Sequence, residues 1–232
     1  MKNLNIILTG ATGGIGQAIA KALDEKGAHI ILTGRSKAKL EQLQQNLTLH
    51  HTAIVADITS DEGKDRVVSA CQRLPLSILV NNAGTNIPSS LINSKDKDIE
   101  CVISLNIKSV IHLTKCVVKK MLNEKIKGSI INVSSQMGHV GAKNRTTYCT
   151  TKFAIEGFTK SLSLELAQKG IRVNSISPTF IETPLTKPFL KNKKFKNEVL
   201  SKIPLGRLGK IEDVMGPFIF LASDASSLIT GT

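Results

Sequence analysis

The sequence predicts an α/β fold: a single domain on a doubly wound parallel sheet of Rossmann type, helices covering both faces in three layers. Short runs of Ile, Leu and Val alternate with longer helical patterns throughout the chain. That alternation is the mark of βαβ units whose strands are buried on both faces. The first run also passes directly into a glycine-rich turn, Gly10 to Gly16, before a helical pattern, the strand–turn–helix context of a nucleotide cradle. A length of 232 residues with no shift in composition suits one domain, 1–232.

Taken in order, residues 4–9 form a buried strand, followed by the glycine turn and a helix to about residue 26. Residues 28–33 are the second strand, 37–47 a helix and 52–56 the third strand. A helix over 61–73 leads to a strand at 76–81. The long helical region 95–123 is expected to break in its middle. A strand at 128–134, a helix at 148–169 and a strand at 171–177 complete the alternation. Segment 178–207, rich in Pro, Lys and Phe, reads as a substrate lobe over the sheet's carboxyl edge, where ligands of such folds bind. A last helix spans 211–222.

Composition excludes several classes. Aromatic residues are 3% of the chain, with one tyrosine and no tryptophan, so no stacking surface for single-stranded nucleic acid is expected. The net charge of +13 includes lysine clusters at 119–120, 125–127 and 191–196. No nucleic-acid motif accompanies them, so they read as a solvated surface that can also steer an acidic partner or an anionic cofactor. Cys71, Cys101, Cys116 and Cys149 lack any Cys-x-x-Cys pair and read as reduced thiols of a cytoplasmic protein, not metal ligands. No secretory signal is read at the N-terminus. No apolar run is judged to approach the ~20 residues of a membrane span.

Gly10, Gly14 and Gly16 permit a tight turn and let main-chain amides approach a pyrophosphate at a helix N-terminus. After the second strand comes Thr33-Gly34-Arg35-Ser36, which has an arginine and no carboxylate. NAD sites usually place an acidic group there on the ribose, whereas a guanidinium grips a 2′-phosphate with two charge-assisted bonds. NADP(H) is therefore preferred, with NAD(H) as the alternative. Asp57, before Ile58, can accept from an adenine amino group. The small residues among Asn81, Asn82, Ala83 and Gly84 let the main chain approach a ribose.

Tyr148 and Lys152 are four residues apart and share one face of a helix. A nearby ammonium favours phenolate, which would lower the tyrosine pKa toward neutrality and suit it to proton exchange with an alcohol oxygen.

These motifs, with Asn106, Asn132-Val133-Ser134-Ser135 and Arg172-Val173-Asn174, follow in an order that resembles the short-chain dehydrogenase/reductase family from residue 4 to the end. The resemblance implies that Ser135 donates to the substrate carbonyl, Tyr148 supplies the proton, Lys152 holds the nicotinamide ribose and Asn106 anchors a water relay. It implies cofactor contacts at Gly10, Thr12, Gly14, Ile15, Gly16, Arg35, Asp57, Ile58, Asn81, Ala83, Gly84, Tyr148, Lys152, Pro178, Ile181 and Thr183. Two features depart from the family pattern. Pro178 is followed by Thr179 where the family commonly has Gly, and the usual strand with Asp-Gly-Gly beyond Thr-Gly-x does not appear before Thr232.

Within the family the sequence looks most like β-ketoacyl-(acyl carrier protein) reductases, then sugar-acid and polyol dehydrogenases. Segments 203–207 and 212–214 fit both groups. Gln136, His139 and Arg145 are the candidate substrate contacts. Lys127 and Lys169 are expected to flank a docking region for an acidic acyl carrier protein. A homodimer or homotetramer built on the helices at 95–123 and 148–169 is usual for the family. A catalytically silent nucleotide-binding regulator is the alternative of a different class.

Overall fold

The computed structural model describes residues 1–184 and 186–232. Six parallel strands form one sheet in the order β3-β2-β1-β4-β5-β6. They are β1 Asn5–Leu8, β2 His29–Gly34, β3 Thr52–Val55, β4 Leu76–Asn81, β5 Ser129–Val133 and β6 Arg172–Ile176. The order reverses direction between β1 and β4, which opens a crevice at their carboxyl ends, the usual ligand position in such sheets.

Strand alternation sorts the core into two layers. Ile6 and Leu8 face one side with helices α1 (Gly14–Asp24), α2 (Lys37–Gln45) and α9 (Glu212–Ala222), where Leu40, Phe218 and Leu221 are buried. Ile7 and Ile31 face the other side with α3 (Asp61–Ala70), α5 (Ser109–Asn123) and α6 (Thr146–Leu166), where Val67, Leu113, Val117 and Met121 are buried. A period of two places successive side chains on opposite faces, so one strand serves both layers. The expected three-layer fold is present.

The region read as a broken helix is continuous. Helix α4 (Asp96–Ile103) runs into a π turn at Ser104–Lys108 and then into α5. The π turn widens the helix by a residue without ending it, and Asn106 is buried there. The expectation that no run reaches membrane-spanning length also needs correction. The 28-residue helix Asp96–Asn123 has an 18-residue window of mean hydropathy 1.5. Leu113, Val117 and Met121 on this helix are buried against the sheet, which accounts for part of that apolarity.

The segment after β6 folds into α7 (Lys187–Leu190) and α8 (Lys193–Ser201). It is tied back by a parallel bridge between Ile181 and Gly209. Before α9, Arg207 makes a two-pronged pair with Asp213 at 2.6 and 2.9 Å, and Lys210 N–H donates to the same carboxylate. At the outer edge of β6, Gly231 N–H donates to the Val173 carbonyl and Ser175 N–H to the Thr232 carbonyl.

Candidate active site

The glycine turn is fixed by close approach. Gly10 has φ +63°, and a Cβ on it would stand 2.9 Å from Ala83 Cα. A Cβ on Gly16 would stand 2.2 Å from the Gly10 carbonyl oxygen, so neither position admits a side chain. Thr9 Oγ1 accepts from Asn82 N–H and Ala83 N–H at 2.9 and 3.0 Å, and Asn82 Nδ2 donates to the carbonyls of Thr9 and Gly10. Gly14 lies against Thr183 and Pro184, which brings the lobe's first residues over the turn. Thr12 packs beside Gly34, and Ile15 packs on the core.

Arg35 and Asp57 line an open cavity of about 310 Å³ with Ser60, Glu62, Gly63 and Arg66. Thr59 donates twice to Asp57 Oδ1, which holds that carboxylate below its usual range, and Arg35 adds to the effect. Ile58 is buried in the core. Asn81, expected as a cofactor-binding position, can meet a ribose only through its main chain, because its side chain is held inside the sheet. Its Nδ2 donates to Thr114 Oγ1 and Asn132 Oδ1, both at 2.9 Å inside the sheet. The strand's alternation turns Asn81 inward, and it is Asn82 that braces the turn.

At the ends of β5 and β6 the remaining groups converge. Gln136 N–H donates to the Pro178 carbonyl at 3.0 Å, and Ser134 N–H to that of Ile176 at 2.8 Å, so the Ser135 loop and the Pro178 segment are joined. Tyr148 is half-buried at the start of α6. Burial pushes its phenol pKa up, while a hydrogen bond with Ser135 and the charge of Arg145 pull it down. Lys152 Nζ lies 5.6 Å from the Tyr148 ring centre and donates to the Val133 carbonyl at 2.8 Å. Burial lowers the Lys152 pKa to about 8, against the opposing charge of Glu156. The expected lowering of the Tyr148 pKa by Lys152 is therefore not what this geometry produces. Desolvation dominates both groups, and Ser135 and Arg145 are what oppose it at the phenol.

Asn106 is buried at the π turn. Its Nδ2 donates to the Thr85 carbonyl at 2.9 Å and to Thr151 Oγ1 at 3.0 Å, and its Oδ1 accepts from Thr85 N–H. It thus ties α6 to the loop after β4. A Cβ on Gly84 would stand 3.3 Å from Asn106 Oδ1 and 3.9 Å from Lys152 Nζ, so Gly84 lies close to both. The crevice fits a dinucleotide on its own evidence: main chain that excludes side chains at Gly10 and Gly16, and a buried Thr179 hydroxyl beside Pro178 with no partner among the described residues.

The comparisons with known proteins agree with this geometry. The family model described as Enoyl-(Acyl carrier protein) reductase matches residues 10–232. The chain is 39% identical over 225 residues to the 3-oxoacyl-(acyl-carrier-protein) reductase of Rickettsia felis, covering 97% of this chain and 91% of that one. This chain is a short-chain dehydrogenase/reductase. The Thermotoga maritima 3-oxoacyl-(acyl-carrier-protein) reductase is likewise 39% identical, over 97% of this chain and 92% of its own. Among solved structures, a Beutenbergia cavernae protein named for an NAD(P)-dependent gluconate 5-dehydrogenase, with NADP bound at low occupancy, superposes with a TM-score of 0.92. It is 29% identical over all of this chain and 94% of its own. An Agrobacterium tumefaciens protein named for a 2-deoxy-D-gluconate 3-dehydrogenase, with bound NADP, has a TM-score of 0.91 at 29% identity, covering 100% and 93%. As a member of this family the chain is an oxidoreductase that acts on a carbonyl/alcohol pair.

Within this dehydrogenase/reductase the candidate substrate residues have unlike surroundings. Gln136 is half-buried beside Ser135. Arg145 lies over the Phe189 ring of the lobe at 5.7 Å and acts on Tyr148. His139 Nε2 instead faces Ser177 Oγ at 3.2 Å and Glu156 Oε1 at 3.4 Å. Thr183 and Ile181 are buried at the lobe's base, where Thr183 pairs with Thr186. Lys127 and Lys169 are exposed just before β5 and β6. That is the sheet's amino edge, at the opposite end of the strands from Ser135. Sequence reading missed Thr151 and Glu156, and took Asn82 only as part of the turn after the fourth strand, not as the brace of the glycine turn. Only Asn82 carried a local signal, as the polar residue next to a strand end facing the glycine turn.

Proposed function

We propose that this enzyme is an NADP(H)-dependent reductase of a 3-oxoacyl thioester carried on an acyl carrier protein, and that it works in the cytoplasm as a homo-oligomer. The observation that carries the reading is the convergence of Ser135, Tyr148 and Lys152 at one end of the strands, beside a main-chain cradle shaped for a dinucleotide. Gly10, Thr12, Gly14, Ile15 and Gly16 would hold the pyrophosphate, Arg35 the 2′-phosphate, Asp57 and Ile58 the adenine, and Ala83 and Gly84 a ribose. Pro178, Ile181 and Thr183 would hold the nicotinamide. The nicotinamide supplies the hydride when bound.

The rest belongs to the chain. Ser135 donates to the substrate oxygen, which stabilises negative charge as it develops there. Tyr148 gives that oxygen its proton. Lys152 binds a ribose hydroxyl and keeps a positive charge near the phenol. Asn106 has both Nδ2 hydrogens committed to Thr85 and Thr151, so its part in a proton relay falls to its main chain at the π turn.

Relatives 39% identical to this chain are named for 3-oxoacyl reduction, which favours that substrate. The solved neighbours named for gluconate dehydrogenases support a sugar-acid reading instead, with Gln136 and Arg145 as polar contacts. NADPH oxidation with an acetoacetyl thioester against a panel of keto-sugar acids tests the choice. Turnover of the thioester alone is expected, and turnover of a keto-sugar acid alone would reverse it.

A further inference from the structure

One buried carboxylate beside the site has no part in the chemistry above. Glu156 lies on α6 and is 5% exposed. Residues four apart share a helix face, so Tyr148, Lys152 and Glu156 stand in one row. Both oxygens of Glu156 are held from outside the helix. Ser175 Oγ donates to Oε2 at 2.9 Å and Ser177 Oγ to Oε1 at 2.8 Å. His139 Nε2 lies 3.4 Å from Oε1. A Cβ on Gly138 would stand 3.0 Å from both Glu156 Cγ and the Lys152 carbonyl oxygen, so the Ser135 loop presses directly on the helix at this point.

Three segments that must stay in register therefore meet at one side chain. The Ser135 loop arrives through His139, and the approach to Pro178 arrives through Ser175 and Ser177. Helix α6, which carries Tyr148 and Lys152, contributes Glu156 itself. Burying a carboxylate is costly, and an apolar side chain would fill the space without that cost. Burial works against the Glu156 charge, but the serine bonds and His139 outweigh it and hold the carboxyl below its usual range.

We propose that Glu156 is a positioning residue: it locks the Ser135 loop and the Pro178 segment onto α6, and it sets a fixed negative charge one turn from Lys152. This rests on the catalytic role given above to Lys152. Among the described residues, Glu156 is the charged side chain that acts on Lys152, and His139 is the one that acts on Glu156. Tyr148 is influenced by Ser135, Cys149 and Arg145.

The test is Glu156→Gln, which keeps the shape and removes the charge. Two readouts are needed: kcat for NADPH oxidation from about pH 6 to about pH 9, and a carbon-13 NMR titration of lysine side chains, with Lys152 assigned from Lys152→Arg. In the glutamine variant Lys152 should lose its proton earlier, moving the basic limb of kcat to lower pH, and kcat near pH 6 should also fall severalfold, because one serine bond and the attraction to His139 are lost. Glu156→Asp should keep the wild-type limb with a lower kcat. An unmoved limb together with an unmoved lysine titration in the glutamine variant would overturn the proposal. A wild type that turns over no carbonyl, but whose lysine titration shifts on substitution, would sink the catalytic reading and still support the Glu156–Lys152 coupling. Should the glutamine variant not fold, His139→Gln tests the lock. A severalfold lower kcat at unchanged NADPH affinity supports it, and wild-type kcat overturns it.

Discussion

Tyr148 and Lys152 share a helix face, yet burial moves them in opposite directions: the phenol's pKa goes up and the ammonium's falls to about 8. Tyr148→Phe removes the proton donor and leaves the cradle untouched, so kcat should drop on the order of 10²- to 10⁴-fold while NADPH affinity, read from the change in the nicotinamide's own fluorescence on binding, stays near wild type. Retained turnover would remove Tyr148 from its role. The Lys152 shift also bears on stability. Below about pH 8 the folded and unfolded chains both hold the Lys152 proton, and the burial penalty is complete. Between about 8 and the ordinary value of 10.5 the folded chain has released a proton that the unfolded chain keeps. Stability from this group therefore rises with pH across that window, by on the order of 3 kcal/mol. Lys152→Met lacks the penalty, so the Tm gap between variant and wild type should narrow as pH rises from about 7.5 to about 10. A constant gap would show that Lys152 is not strained by burial. The sequence made the Tyr148–Lys152 pairing legible through its spacing of four. It could not show which influence governs the phenol, because desolvation and the approach of Arg145 depend on contacts distant in the chain.

Elements were legible where pattern alone dictates them. Strand β4 falls where the run of Leu, Ile and Val placed it, and the glycine turn is as tight as its composition demands. The π turn at Asn106 was not legible, since a helix widened by one residue keeps its apolar face and gives no breaking residue. Asn81 and Asn82 were separable only by strand alternation, which sends one into the sheet and the other to the turn. The connection between α2 and β3 holds a further device without a sequence signature. Asp24 accepts from Thr48 N–H, Leu49 N–H and His51 Nε2, while His51 Nδ1 accepts from Ile30 N–H. His51 is therefore neutral with its proton on Nε2, and a second proton would break the bond from Ile30. Burial lowers the His51 pKa from 6.5, so acidification below about 6.5 protonates the unfolded chain first and stability falls. Asp24, also lowered, loses its contribution at still lower pH. His51→Gln can keep both hydrogen bonds without titrating, and its Tm should change less than the wild-type Tm between about pH 7 and about pH 5. Parallel curves for the two proteins would exclude His51 as the acid-sensitive group.

For the whole molecule, the sequence disclosed a charge of +13 but not its arrangement. Folding puts two groups of these lysines at opposite ends of the sheet. Lys127 and Lys169 stand at the amino edge, whereas Lys191, Lys193 and Lys194 lie exposed on the lobe near the carboxyl edge, with Arg145 packed on its Phe189. The strand order that separates these groups emerges only when the chain is folded, so the sequence could not place Lys127 and Lys169 relative to Ser135. If the substrate is carrier-linked as proposed, an acidic carrier serving Tyr148 of the same chain would meet the lobe first, and long-range attraction there would raise its encounter rate. Charge reversal at Lys191, Lys193 and Lys194 should therefore raise KM for a carrier-linked substrate severalfold and leave KM for a small acetoacetyl thioester unchanged. Wild-type KM for the carrier-linked substrate should likewise rise with salt, as screening at about 0.1 M already acts over ~10 Å. If reversal at Lys127 and Lys169 gives the larger effect instead, the carrier docks on the amino edge and must serve the site of a neighbouring subunit. A KM insensitive to salt and to both sets of substitutions would remove the electrostatic basis for a carrier and favour small free substrates.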